Sequence, residues 1–241
     1  MNGDKTHYLR GIGLALCLAF GAGVTLAPHP ARADATPAPF ADEIHVFGVE
    51  DESAPPPHCA TLFVGSSSIR FWFGLKDDMH MPLVKRGFGG ATIGDVNHYF
   101  DRVVAPYTPR RIVFYAGEND IDAGLSPEQT FAAFEEFMVR KQEALGATPV
   151  FFVSAKPSIA RWHQFDAQRS FNAMVAALAA RRADLVYIDV ATPMLKDGAP
   201  RPEIYIGDRL HMNRAGYAIW TKTIAHTLAH ARTSKAPDCG R

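Results

Sequence analysis

Beyond residue 58, apolar positions along the chain fall into two alternating kinds of pattern. Short unbroken runs rich in β-branched and aromatic residues occupy 60–65, 110–116, 148–155 and 185–190, with a weaker run, PLVKRG, at 82–87. Runs this short without polar alternation predict strands buried on both faces, as in a parallel sheet. Between them the spacing becomes helical. Ser126, Pro127 and Gln129 form an N-cap, a first-turn proline and a capping-box partner. Phe131, Phe134, Met138 and Leu145 follow as one stripe, and Gly146 ends it. A last helix opens at Asn213 and sets Tyr217, Trp220, Ile224 and Leu228 at core spacing. Five strands alternating with helices predict an α/β domain: a five-stranded parallel sheet covered on both faces, with no repeat and no second domain.

The first 58 residues read differently. Lys5, His7 and Arg10 precede an apolar run from Gly11 to Ala27, and Ala31-Arg32-Ala33 supplies small residues for cleavage after Ala33. This is the pattern of an export signal; an uncleaved anchor is the alternative, and it is the one membrane contact the sequence suggests. The stretch LALC ends at Cys17 but has Leu16 where lipidation needs a small residue. Residues 34–58 are rich in Pro and Ala, with one helical candidate at FADEIHVFGVE and a stiff APPPH before the domain begins at residue 59.

Charge and cysteines narrow the field further. With 25 basic and 25 acidic side chains in 241 residues, the chain has no electrostatic footprint for nucleic acid. Export would leave Cys59 and Cys239 in an oxidising compartment. One precedes the first strand and the other follows the last helix, which returns to that edge of the sheet. A disulfide between them is expected, and closing so long a loop would contribute about 5 kcal/mol. Two unrelated thiols are the alternative.

In open parallel sheets, ligands sit beyond the carboxyl ends of the strands. The residues there are Gly65-Ser66-Ser67-Ser68, then Arg86-Gly87-Phe88-Gly89-Gly90-Ala91, Gly117-Glu118-Asn119-Asp120, Lys156-Pro157-Ser158 with Trp162 nearby, and Asp208-Arg209-Leu210-His211. A hydroxyl nucleophile, hydrogen-bond donors and a base with its orienting carboxylate thus converge on one rim. Asp208 and His211, three apart around a turn, can face the same way, leaving Nε2 of the histidine for a serine. Lys156 and Trp162 are candidate substrate contacts. Trp162, His163 and Phe165 read equally well as helix packing.

Other patterns carry less. GFGGATIG lacks the glycine spacing of a dinucleotide loop. His226 and His230 have no third ligand nearby and read as a solvated helix face. Ile69 stands where a G-x-S-x-G elbow needs glycine.

GSSSI, RGFGG, GEND and DRLH, in that order from about Thr61 to Ala231, resemble the blocks of the SGNH/GDSL hydrolase superfamily. The resemblance implies a flavodoxin-like three-layer α/β/α sandwich and a serine esterase without metal or other cofactor. Ser67 would be the nucleophile, Asp208 and His211 its base pair, and Ser67, Gly90 and Asn119 the oxyanion donors. One departure stands out: Ser66 replaces the aspartate that usually precedes the nucleophile, which predicts altered loop bonding, with Ser66 and Ser68 shaping the turn and capping the helix. The expected activity is hydrolysis of a carboxylic ester, acetyl esters included, on a small molecule or polysaccharide. A non-catalytic glycan- or lipid-binding module and an O-acetyltransferase are the alternatives.

Overall fold

The computed structural model describes residues 39–233. The leader at residues 1–33 and Cys239, half of the expected disulfide, lie outside the described residues.

The predicted runs form strands β1 (Thr61–Gly65), β2 (Leu83–Gly87), β3 (Arg111–Tyr115), β4 (Val150–Val153) and β5 (Leu185–Ile188). All pair in parallel in the order β2-β1-β3-β4-β5. Alternate residues on each strand serve opposite layers. Leu62, Val64, Ile112, Phe114, Val150 and Phe152 enter one apolar cluster, whereas Phe63, Val113, Tyr115, Phe151 and Val153 enter the other. This two-sided burial is why the runs show no polar alternation.

In chain order the helices are α1 (Ala41–Ser53), α2 (Ser67–Arg70), α3 (Leu75–Met79), α4 (Ile93–His98) and α5 (Phe100–Val103). They continue with α6 (Glu118–Asp122), α7 (Pro127–Leu145), α8 (Phe165–Ala179) and α9 (Arg214–His230). Helices α1, α4, α5, α7 and α8 cover the first cluster, and α2, α3 and α9 the second, giving three layers. The α7 capping box is present in full, with Ser126 as N-cap and Gln129 reaching back. Tyr217, Trp220, Ile224 and Leu228 of α9 are all buried.

The helical candidate before the domain is α1, and it docks on the core through Ile44. Asp51 accepts from the Arg86 guanidinium and, at 2.6 Å, from the Tyr107 hydroxyl. Glu43 accepts from Gly89 N–H at 3.2 Å and pairs with Arg70 at 3.3 Å.

One buried charge is structural. The Lys141 ammonium, on α7, is fully buried and donates to Asp184 at 2.6 Å and to the Gly146 carbonyl at 3.0 Å. Burial pushes the Asp184 carboxyl up, but hydrogen bonds from Arg182 and Lys141 outweigh it and bring it to about 2. Asp184→Ala strands the ammonium and is expected to cost about 3–5 kcal/mol in urea denaturation. An unchanged midpoint would mean that the lysine finds water.

Candidate active site

β1 ends hard against β3. Gly65 has φ 139°, and a Cβ there would stand 1.8 Å from the Tyr115 carbonyl oxygen, so this position takes only glycine. The next residue, Ser66, donates its N–H to that carbonyl at 2.9 Å and turns the chain into α2, whose first residue is Ser67. The expected hydroxyl cap by Ser66 is not made. The serine carbonyls hold the turn, with Ser66 O accepting from Ile69 and Arg70 N–H and Ser68 O accepting from the Tyr217 hydroxyl of α9 at 2.9 Å, while the Ser68 hydroxyl bonds to Tyr115. Ser66 and Ser68 are buried, and Ser67 is half-buried.

The histidine turn is built by its aspartate. Asp208 Oδ1 accepts the N–H groups of Leu210 and His211, both at 2.9 Å, while Arg209 between them takes φ 60°. This leaves Asp208 Oδ2 2.6 Å from His211 Nδ1, and His211 Nε2 3.0 Å from Ser67 Oγ. Burial works against ionisation of Asp208, but the hydrogen bonds from His211 and Leu210 outweigh it and lower its pKa. An ionised carboxylate at Nδ1 fixes the proton there, so Nε2 accepts from the serine hydroxyl. The Phe71 ring meets the imidazole edge-on at 4.9 Å.

The opposite flank carries donors. Gly90 has φ 79° in open space, so conformation and not room asks for glycine. Among the described residues, neither Ser67 N–H nor Gly90 N–H donates to a protein acceptor. Asn119, on α6, donates one Nδ2 hydrogen to Ala91 O at 2.9 Å, which leaves the second. Its Oδ1 accepts from Arg161 at 2.9 Å, and Arg161 is held in turn by Asp122 at 2.7 Å. The amide is therefore gripped at both ends.

Two positions differ from expectation or went unread. Lys156 does not line a substrate surface: its side chain is 1% exposed, and its ammonium donates to Glu118 at 3.1 Å and to Leu210 O at 2.9 Å. It ties the β3 and β4 ends to the histidine turn. Tyr115 donates to the same Glu118 at 2.6 Å. Nothing in the sequence marks Arg161, because its partners lie some forty residues away and it has no local spacing pattern. Trp162 is 36% exposed, stacks on Phe165 at 4.7 Å and lines a cavity of about 670 Å³ with Tyr205, Ile206 and Arg209. It thus both packs and lines a surface.

Asp120 anchors the glycine loop by accepting Ile93 N–H at 3.0 and 3.1 Å. Burial pushes its carboxyl up to about 6, against the pull of those backbone bonds. The folded state thus holds this proton more tightly than the unfolded chain does. Its contribution to stability is full below about pH 4 and is lost as pH rises to about 6, by roughly 3 kcal/mol. Denaturation at pH 4, 5, 6 and 7 should show this fall, and Asp120→Asn should remove it. Parallel profiles for the two proteins would refute the assignment.

Sheet order and rim geometry define an α/β/α hydrolase architecture with a serine-histidine-aspartate line at the carboxyl edge. The chain belongs to the GDSL-like lipase/acylhydrolase family, whose profile matches residues 65–219. Solved structures agree on the fold. A GDSL-like lipase from Bacteroides thetaiotaomicron is 22% identical, with TM-score 0.66 over 77% of this chain and 97% of that one. An acetylxylan esterase from Geobacillus stearothermophilus, solved as a catalytic mutant, is 13% identical, with TM-score 0.59 over 74% and 97%. A Streptococcus pneumonia protein described as a platelet activating factor is 19% identical, with TM-score 0.69 over 78% and 92%. No curated protein sequence matches the chain.

Proposed function

We propose that this protein is an exported serine esterase that hydrolyses carboxylic esters, acetyl esters among them, through an acyl-enzyme. The observation that carries the reading is the continuous hydrogen-bonded line from Ser67 Oγ through His211 to Asp208, at 3.0 and 2.6 Å. His211 Nε2 takes the hydroxyl proton as Ser67 Oγ bonds to the ester carbon, and the carbonyl electrons move onto oxygen. That oxyanion is held by Ser67 N–H, Gly90 N–H and the remaining Asn119 hydrogen. As the tetrahedral adduct collapses, the bond to the alcohol oxygen breaks and that oxygen takes the proton from His211. Water then repeats the sequence on the acyl-serine, returning the acid and free enzyme. The leader at residues 1–33 supports export, and in that compartment Cys59 pairs with Cys239.

The test is turnover of p-nitrophenyl acetate, butyrate and octanoate by protein beginning at Asp34. Burst release of nitrophenol ahead of steady turnover would register the acyl-enzyme. A folded protein that cleaves none of the three would sink the reading.

A further inference from the structure

Beside His211 lies a cavity of about 730 Å³, within the range that holds drug-sized ligands. Its walls are Phe71, Trp72 and Phe73, just after the nucleophile, and Ile206, Met212 and Tyr217 around the histidine turn. Neither Gly90 nor Asn119 reaches it. We infer that this cavity is the subsite for the alcohol portion of the ester, and that it selects an apolar alcohol, alkyl or aryl, over a sugar. The inference rests on the esterase reading above.

The side follows from the chemistry. In the tetrahedral adduct the oxyanion points to the Gly90–Asn119 flank, and the departing oxygen must face His211 Nε2 to receive its proton. The alcohol therefore extends along the histidine side, where the cavity opens.

The polarity follows from bonding already made. Asp78 accepts from Trp72 Nε1 at 2.7 Å and pairs with Arg214 at 3.3 Å. Asn213 caps α9 through Oδ1 and donates Nδ2 to Glu203 O at 2.8 Å. Tyr217 donates to Ser68 O, and both nitrogens of His211 are engaged. Asp208 and the largely exposed guanidinium of Arg214 also line the cavity and would offer a sugar charged partners, but the rings and aliphatic chains make up most of its walls, and an apolar group gains there on leaving water. Phe73, 84% exposed, and Ile206, 48% exposed, stand at the mouth as apolar surface that such an alcohol would cover.

The experiment compares two series on wild type, Phe73→Ser and Ile206→Ser. Ethyl, butyl and hexyl acetate vary the alcohol; ethyl acetate, butyrate and hexanoate vary the acid. In wild type, kcat/KM should rise about fourfold per methylene of alcohol until the cavity fills. Both variants replace exposed side chains, so they should stay folded, and they should flatten the alcohol series alone. Flattening of the acyl series instead would overturn the inference while leaving the esterase reading intact. So would a higher kcat/KM on an acetylated xylo-oligosaccharide than on hexyl acetate. If no ester is cleaved, the esterase reading fails, and calorimetry with 1-hexanol decides the cavity separately. Binding to wild type that both variants weaken supports the apolar site; no binding overturns it.

Discussion

Ser67→Ala is expected to lower kcat on the order of 10⁶-fold, while Ser66→Ala and Ser68→Ala stay within about tenfold of wild type. Of the three hydroxyls, that of Ser67 meets His211 Nε2, at 3.0 Å. Its neighbours are buried; their carbonyls, which alanine keeps, hold the turn and α9, and alanine at 68 gives up the hydroxyl's bond to Tyr115. Folding should be little changed in all three, as circular dichroism would check. The loss should also be non-additive: once Ser67 is gone, His211→Ala has nothing left to activate and should cost little more. Comparable losses from Ser66→Ala and Ser67→Ala would move the nucleophile or implicate the turn as a whole.

Asp208→Asn should reduce kcat about 10⁴-fold with the turn intact. The two oxygens of Asp208 do separate jobs, and asparagine keeps only one of them. Its carbonyl oxygen can still accept from Leu210 and His211 N–H, as Oδ1 does now at 2.9 Å. The other position becomes an NH₂ facing Nδ1, which favours the tautomer with its proton on Nε2, unable to accept from Ser67. A substrate KM near that of wild type with a collapsed kcat is the expected signature. A variant retaining most of its kcat would mean that the turn, and not the charge, sets the tautomer.

The strands were readable because a parallel sheet buried on both faces leaves an unbroken apolar run, as at Leu62 to Val64 and Ile112 to Tyr115. The α7 cap was readable because a capping box is local chemistry within four residues. Ser67, Asn119 and His211 were placed on one rim because each follows a strand or opens the last helix, and the five-stranded order aligns those ends. What escaped is non-local. Glu118 opens α6 while Lys156 and Arg161 come from the connection after β4, and a lysine after a strand looks the same in sequence whether its ammonium points to solvent or to a buried carboxylate. The docking of α1 was hidden likewise, since Asp51 meets Arg86 and Tyr107 from 35 and 56 residues away.

That helix separates two meanings of the word domain. The stretch recognisable by descent begins at Gly65, the last residue of β1, and stops at 219, about a third of the way along α9. The unit that is whole as a physical object starts earlier, because Arg86 lies buried between the rings of Phe47 and Tyr107 with a carboxylate from α1 as its counterion. A chain that began just after α1 would leave the Arg86 guanidinium without the Asp51 carboxylate and the Phe47 ring. Ancestry marks where the chemistry was kept; the buried cation marks how much chain must travel with it.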